Sequence, residues 1–329
     1  MSARARRAEP RNIPKTMRAM AIDRFGGPEV LSMHTLPVPI PGAHDVLIAV
    51  HTAEVGGWDA EIRGGWSPTG KPPRFPFVLG VGGSGTVAAV GSRVRRFQIG
   101  EPIYSFAWPK GGFYAEYVAV PAKDAAPVPN SLDLRDAGAV PVTALTAIQG
   151  IDDTLHVKKD ERVIIHGASG GVGTFALQFA KLRGARVLAT ASGPDGVALA
   201  RKLGADAAVD GRHGDIAKAV HEFAPDGVDA ILALAGGEAL ERSIDTLHKN
   251  GRLAYPNGIE PEPKKRRGIK TKSYDGTAGV KEFERLSRAI EAARLQVPIA
   301  AEFPLADAVQ AHERIARGHI LGIIVLRIV

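Results

Sequence analysis

The chain contains no cysteine. That excludes disulfides, a thiolate nucleophile and any cysteine-ligated zinc. No apolar run reaches the roughly 18 residues a membrane helix needs. No secretory hydrophobic segment follows the start. A soluble, cytoplasmic protein with no membrane role is therefore expected. The ten histidines show no paired ligand spacing, so each is expected to be structural or solvated. What remains is ample: 329 residues, 45% hydrophobic, enough for two domains with their own cores. Thirty-eight glycines and 23 prolines fit many tight turns in a β-rich part. The net charge of +7 favours anionic ligands such as phosphates and does not by itself imply nucleic acid.

The most informative stretch is Val163-Ile-Ile-His-Gly-Ala-Ser-Gly-Gly-Val-Gly173. Val163–His166 has strand character. A glycine-rich turn follows, then an amphipathic helix with Val172, Phe175, Ala176, Phe179 and Leu182 along one stripe. Strand, glycine turn and helix come in the order a dinucleotide site needs. Glycines admit a pyrophosphate close to the backbone, and the helix start offers free N–H groups and a favourable dipole. A lone glycine motif is weak, but further β-α units follow here at the expected rhythm.

Residues 1–16 are basic and polar and read as a flexible extension. Short strands are expected at Met17–Ile22, Asp45–Val55, Gly85–Val90, Pro102–Phe106 and Tyr114–Pro121, which suggests a closed or partly closed barrel. A helix over Ala139–Ile151 precedes strands Val163–His166, Arg186–Ala191, Ala207–Val209, Val228–Ala233 and Arg252–Tyr255. Helices Pro194–Leu203, Asp215–Phe223 and Glu238–Leu247 alternate with them. That rhythm implies an α/β fold with a doubly wound parallel sheet. Residues 260–275 read as a polar connection. Helices Val280–Leu295 and Ala306–Arg317 and a strand Ile323–Ile328 follow, the tail returning partly to the N-terminal domain.

The order of these features resembles the medium-chain dehydrogenase/reductase superfamily, and within it the zinc-independent quinone oxidoreductase-like branch. The resemblance spans Met17 to Val329. It rests on Met17-Arg-Ala-Met20, Phe25-Gly-Gly-Pro-Glu-Val-Leu31, Phe97-Gln-Ile-Gly-Glu-Pro-Ile-Tyr104 and Gly112-Phe-Tyr-Ala-Glu-Tyr-Val118. It also rests on Leu145-Thr-Ala147, Ala168-Ser-Gly-Gly-Val-Gly173, Leu203-Gly-Ala-Asp206, Gly318-His319 and Gly322-Ile-Ile-Val-Leu326. It implies a GroES-like β-barrel catalytic domain, residues 17–137 and 266–329, and a Rossmann dinucleotide-binding domain, residues 138–265. It also implies NADPH-linked reduction of a small-molecule quinone or α,β-unsaturated carbonyl in the cleft between them, often by a homodimer. Val81 and Gly82 stand where zinc members carry His-Glu, so no zinc is expected.

Ser169, Gly170, Gly171, Val172 and Gly173 are the expected pyrophosphate turn. NAD sites place a carboxylate at the end of the second strand. Here that strand ends Thr190-Ala-Ser192, and Ser192 can donate to a 2′-phosphate without repelling it, so NADPH is expected in preference to NADH. Arg212 is a candidate for the same phosphate or a solvated loop residue; Asp195 argues the other way. Thr146, Ala235, Gly236, Pro256, Asn257 and Gly258 lie where the resemblance puts the nicotinamide ribose and ring. In Val55-Gly-Gly-Trp-Asp-Ala-Glu-Ile-Arg-Gly64, a family asparagine appears as Gly56 and a family Tyr or Lys as Glu61. Glu61 is the one catalytic candidate, a proton carrier if buried and a surface carboxylate otherwise. Asp59 and Arg63 are expected to pair internally. Trp58, Trp66, Tyr104 and Trp108 form either an apolar substrate wall or core packing. The run Lys264-Lys-Arg-Arg267, with Lys270 and Lys272, reads as a solvated loop rather than a nucleic-acid patch. Two alternatives stand beside the reductase: an NADPH-binding protein with little catalysis and an RNA or sensing role, and an enoyl-thioester reductase.

Overall fold

The computed structural model describes residues 13–67 and 69–329; most of the expected N-terminal extension lies outside the described residues. The N-terminal part comprises β1 (Thr16–Ile22), β2 (Leu31–Pro37), β3 (Asp45–Val55), α1 (Gly57–Arg63), β4 (Phe77–Val78), β5 (Gly82–Val90), β6 (Pro102–Phe106), β7 (Tyr117–Pro121) and β8 (Ala125–Pro127). β3 is its hub, pairing antiparallel with β5 and β7. β1 sits in a separate three-stranded sheet between β2 and β4.

Helices α2 (Leu134–Gly138) and α3 (Pro141–Gln149) lead into the second unit. There β9 (Arg162–His166), α4 (Gly171–Leu182), β10 (Arg186–Ala191), α5 (Gly193–Lys202) and β11 (Ala207–Asp210) form one half. The other half is α6 (Ile216–Phe223), β12 (Val228–Ala233), α7 (Glu238–Ile244), β13 (Leu247–Pro256) and β14 (Lys270–Tyr274). The six strands are parallel, in the order β11-β10-β9-β12-β13-β14. The strand order reverses between β9 and β12, the place where such sheets bind ligands at their C-terminal ends. β9 shows why it is apolar throughout: Val163 and Ile165 join the core shared with α3 and α4, and Ile164 joins a second core on the opposite face.

The chain then runs through α8 (Val280–Ala293), β15 (Ile299–Pro304), α9 (Ala308–Ala316) and β16 (Ile323–Arg327). β16 returns to the first unit and pairs with the C-terminal end of β3, Ile324 opposite Val55 and Val325 opposite Glu54. The expected polar connection over residues 260–275 is corrected by β14, which completes the parallel sheet. The second unit therefore continues to Tyr274, past the expected boundary at 265. β14 is an edge strand with Lys270, Lys272 and Ser273 exposed, a pattern that blunts edge pairing and hides the apolar signature.

Candidate active site

The glycine turn joins β9 to α4. Gly167 takes φ +85°, which turns the chain sharply away from the strand. Gly170 caps α4 with no side-chain hydrogen bond, so the first-turn N–H groups at Gly171, Val172 and Gly173 have no side-chain acceptor at the cap. Ser169 is buried, and its Oγ accepts from the Ser192 N–H at 3.2 Å, which ties the turn to the end of β10. The Gly322 N–H donates to the Ser169 carbonyl at 2.9 Å, bringing the entry of β16 against the same turn.

Beyond β10 the Ser192 hydroxyl lies 2.9 Å from His319 Nδ1, and His319 Nε2 lies 2.9 Å from Asp195 Oδ2. The hydrogen bond from His319 holds the Asp195 carboxyl below its usual range. Asp195 is therefore already engaged, and Asp210, at the end of the neighbouring β11, accepts from the backbone N–H groups of Gly193 and Arg212. Arg212 is exposed, and its backbone N–H donates to Asp210 Oδ1. His319 had no role assigned from sequence, although the Gly318-His319 pair was part of the resemblance; only folding brings it 127 positions back to Ser192.

A cleft of about 950 Å³ opens between the two units. One side carries Gly170, Gly171, Val172, Gly173, Thr146, Pro256, Asn257 and Gly258. The other carries Trp58, Glu61, Trp66, Phe106 and Trp108. Trp66 and Trp108 stack with ring centroids 5.9 Å apart. A side chain at Gly56 would meet the Trp58 ring at 2.1 Å, so this indole fills the space beside Gly56. Glu61 is exposed at the mouth, and partial burial raises its carboxyl above the usual range. Asn257 Nδ2 donates to Asp275 Oδ2 at 2.8 Å, and both residues line the cleft.

Several expected placements differ. Tyr104 is fully buried away from the cleft, its hydroxyl 2.9 Å from Ser287 on α8 and its ring edge-on to Phe283, so it is core and not substrate wall. On the loop after β12 it is Leu234 that lines the cleft; Ala235 is exposed, and Gly236 packs against the backbone of Glu260 and Pro261. Asp59 and Arg63 are both buried but take separate partners. Asp59 accepts from the Gly56 and Gly80 N–H groups, whereas Arg63 donates to the Gly26 carbonyl and to His312. In the basic run Arg266 is clamped by Glu241 and Asp245 at 2.9 and 2.8 Å. A residue missed altogether is Glu54, a buried glutamate of β3 in the cleft lining. Among the described residues no group of three or more His, Asp or Glu side chains is placed to hold a metal ion.

Two family models match, the alcohol dehydrogenase GroES-like domain over residues 42–130 and the zinc-binding dehydrogenase over 171–273. A quinone oxidoreductase of Mus musculus is 30% identical over 318 residues, 92% of this chain and 95% of that protein. The chain belongs to the quinone oxidoreductase-like branch of the medium-chain dehydrogenase/reductase superfamily. It is an oxidoreductase of that superfamily. Its fold superposes on a solved quinone oxidoreductase from Coxiella burnetii with a TM-score of 0.87, at 30% identity, over 96% of this chain and 100% of that one. A mycobacterial protein solved with NADPH matches with a TM-score of 0.83 at 28% identity, over 95% of this chain and 100% of that one.

Proposed function

We propose that this oxidoreductase reduces a quinone or an α,β-unsaturated carbonyl with NADPH and without zinc. The observation that carries the reading is the cleft, where a tryptophan wall faces a glycine cradle across one cavity. The cradle fits a dinucleotide: its glycines leave the backbone bare, and the α4 N–H groups meet a pyrophosphate. Thr146, Pro256, Asn257 and Gly258 would hold the ring end, and Ser192, His319 and Arg212 would hold the 2′-phosphate. Bound NADPH supplies the hydride. The protein's own part is to lay a flat acceptor between Trp58, Trp66 and Trp108, align it and keep water away. Names of relatives such as the mouse quinone oxidoreductase support the acceptor class. NADPH consumption across a panel of quinones and enones tests the reading: turnover with at least one class is expected, and no turnover with any acceptor overturns it.

The coenzyme preference rests on the Ser192–His319–Asp195 chain. With Asp195 held by His319, the strand end presents a hydroxyl and an imidazole to a phosphate. H319A is expected to weaken NADPH binding about tenfold and NADH binding much less, the loss of one hydrogen bond to a charged group. Fluorescence titration with both coenzymes measures this; an equal loss for the two places His319 outside phosphate recognition.

A further inference from the structure

Glu54 lies near the C-terminal end of β3 and is 1% exposed. Its Oε2 accepts from the Val142 N–H at 3.2 Å, in the first turn of α3. That contact accounts for one oxygen as a helix cap. It does not account for the other: Oε1 is buried and has no hydrogen-bond partner, and Glu54 is one of the residues that line the cleft. A buried polar atom without a partner calls for a reason. An ionised carboxylate there would be costly, since no cation offsets it. From α1 it faces Asp59 and from the barrel Tyr114, while α3 brings Val142 and Thr143, β5 brings Gly82 and β16 brings Val325. Burial pushes the carboxyl up to about 8; the polar groups of Thr143 and the Val142 N–H, in the first turn of α3, pull the other way, and Asp59 adds a smaller push. At neutral pH the group is the acid, with Oε2 accepting and an O–H left on Oε1.

We propose that Glu54 is the group that hydrogen-bonds the acceptor's carbonyl oxygen in the cleft and passes it a proton. The inference rests on the reductase reading above. As a C–H bond forms from the transferred hydride, the displaced electron pair moves onto the carbonyl oxygen. The Glu54 Oε1–H bond breaks, an O–H bond to substrate forms, and the carboxylate left behind takes a proton from solvent. The acceptor is reduced by two electrons and NADPH is oxidised by two. Glu54 suits this better than Glu61 does, because Glu61 is exposed and only partial burial favours its acid form, whereas Glu54 is buried throughout.

The test is E54Q, which keeps the size and the acceptor for Val142 but cannot release a proton. It is expected to bind NADPH as the wild type does and to lose about 100-fold or more in kcat. The wild-type kcat is expected to hold at lower pH and to fall as pH rises through about 8, where the acid ionises, and E54Q loses that step. Infrared difference spectra give a readout apart from turnover. A protonated-carboxyl stretch that the wild type shows at neutral pH beyond the Asp59 band it shares with E54Q, and that is lost above about pH 8, supports the assignment. E54Q turning over like an active wild type, or no such band at neutral pH, overturns it while leaving the reductase reading intact. A wild type that reduces no acceptor sinks both. Should E54Q fail to fold, the wild-type pH profile and infrared band decide.

Discussion

Replacing Gly173 with valine is expected to abolish dinucleotide binding, a loss of at least about 100-fold in affinity or ~2.7 kcal/mol. The reason is the close approach of α4 to the turn that feeds it. A Cβ at residue 173 would lie 2.2 Å from the Gly167 carbonyl oxygen and 2.7 Å from Ala168 Cα. Both are backbone atoms, so no side chain can swing aside. The first turn of the helix would have to lift off the end of β9, carrying its free N–H groups away from any phosphate. Overpacking of this kind also costs about 1–3 kcal/mol of stability, visible in a urea midpoint. G170A is the matching control: the nearest atom to its Cβ is 3.6 Å away, and its φ of −80° suits any residue. G170A should fold like the wild type. Calorimetry that finds G173V binding NADPH normally would place the coenzyme elsewhere.

That turn was legible in the sequence because its chemistry is local. The glycines, the apolar strand before them and the apolar stripe after them occupy about 20 consecutive residues, and each has one physical use. The strands of the parallel sheet were legible wherever helices cover both faces, as with Arg186–Ala191 and Val228–Ala233, which match their expected limits. Strands with one wet face were not. β14 shows lysines on its exposed positions, and β15 alternates only between half-buried and exposed residues, with Ala301 and Ala300 blurring the contrast in its sequence, so neither carries the apolar run or polar alternation that marks a strand. The cleft needed the fold. Tyr104 and Phe106 share a strand parity, yet only Phe106 reaches the cleft, because α8 covers the strand at Tyr104. Gly56 read as a lost polar side chain; in three dimensions it makes room for Trp58. Glu54 did leave a signal, a lone carboxylate in a strand otherwise buried around it, but which oxygen caps α3 and which stands free depends on contacts 88 positions apart.

The second large effect is expected at Asp59, which anchors the cleft wall carrying Trp58. At pH 5, D59N is expected to lower unfolding stability by about 3 kcal/mol although it preserves volume. Asp59 Oδ2 accepts from the Gly56 N–H at 2.9 Å and Oδ1 from the Gly80 N–H at 3.1 Å, and the Tyr114 hydroxyl also reaches it. The donors form a directed series. Arg63 Nε–H donates to His312 Nδ1 at 3.2 Å, which leaves the proton of this neutral imidazole on Nε2. Burial lowers His312 to about 4, so it stays neutral at physiological pH. Nε2–H then donates to the Tyr114 oxygen at 3.2 Å, which frees the phenolic proton for Asp59. Asp59 thus ends a line of donors that begins at a buried guanidinium, and both of its oxygens must accept. Burial outweighs the donors and pushes its carboxyl up to about 7, so the wild type loses stability as pH rises through that value while D59N does not, and the deficit of D59N is largest below it. An amide must turn its NH₂ toward one of them and strand a buried N–H. Urea unfolding at pH 5 decides the matter: a D59N midpoint within error of the wild type would show that an amide satisfies the site, and the donor series from Arg63 would have to run the other way.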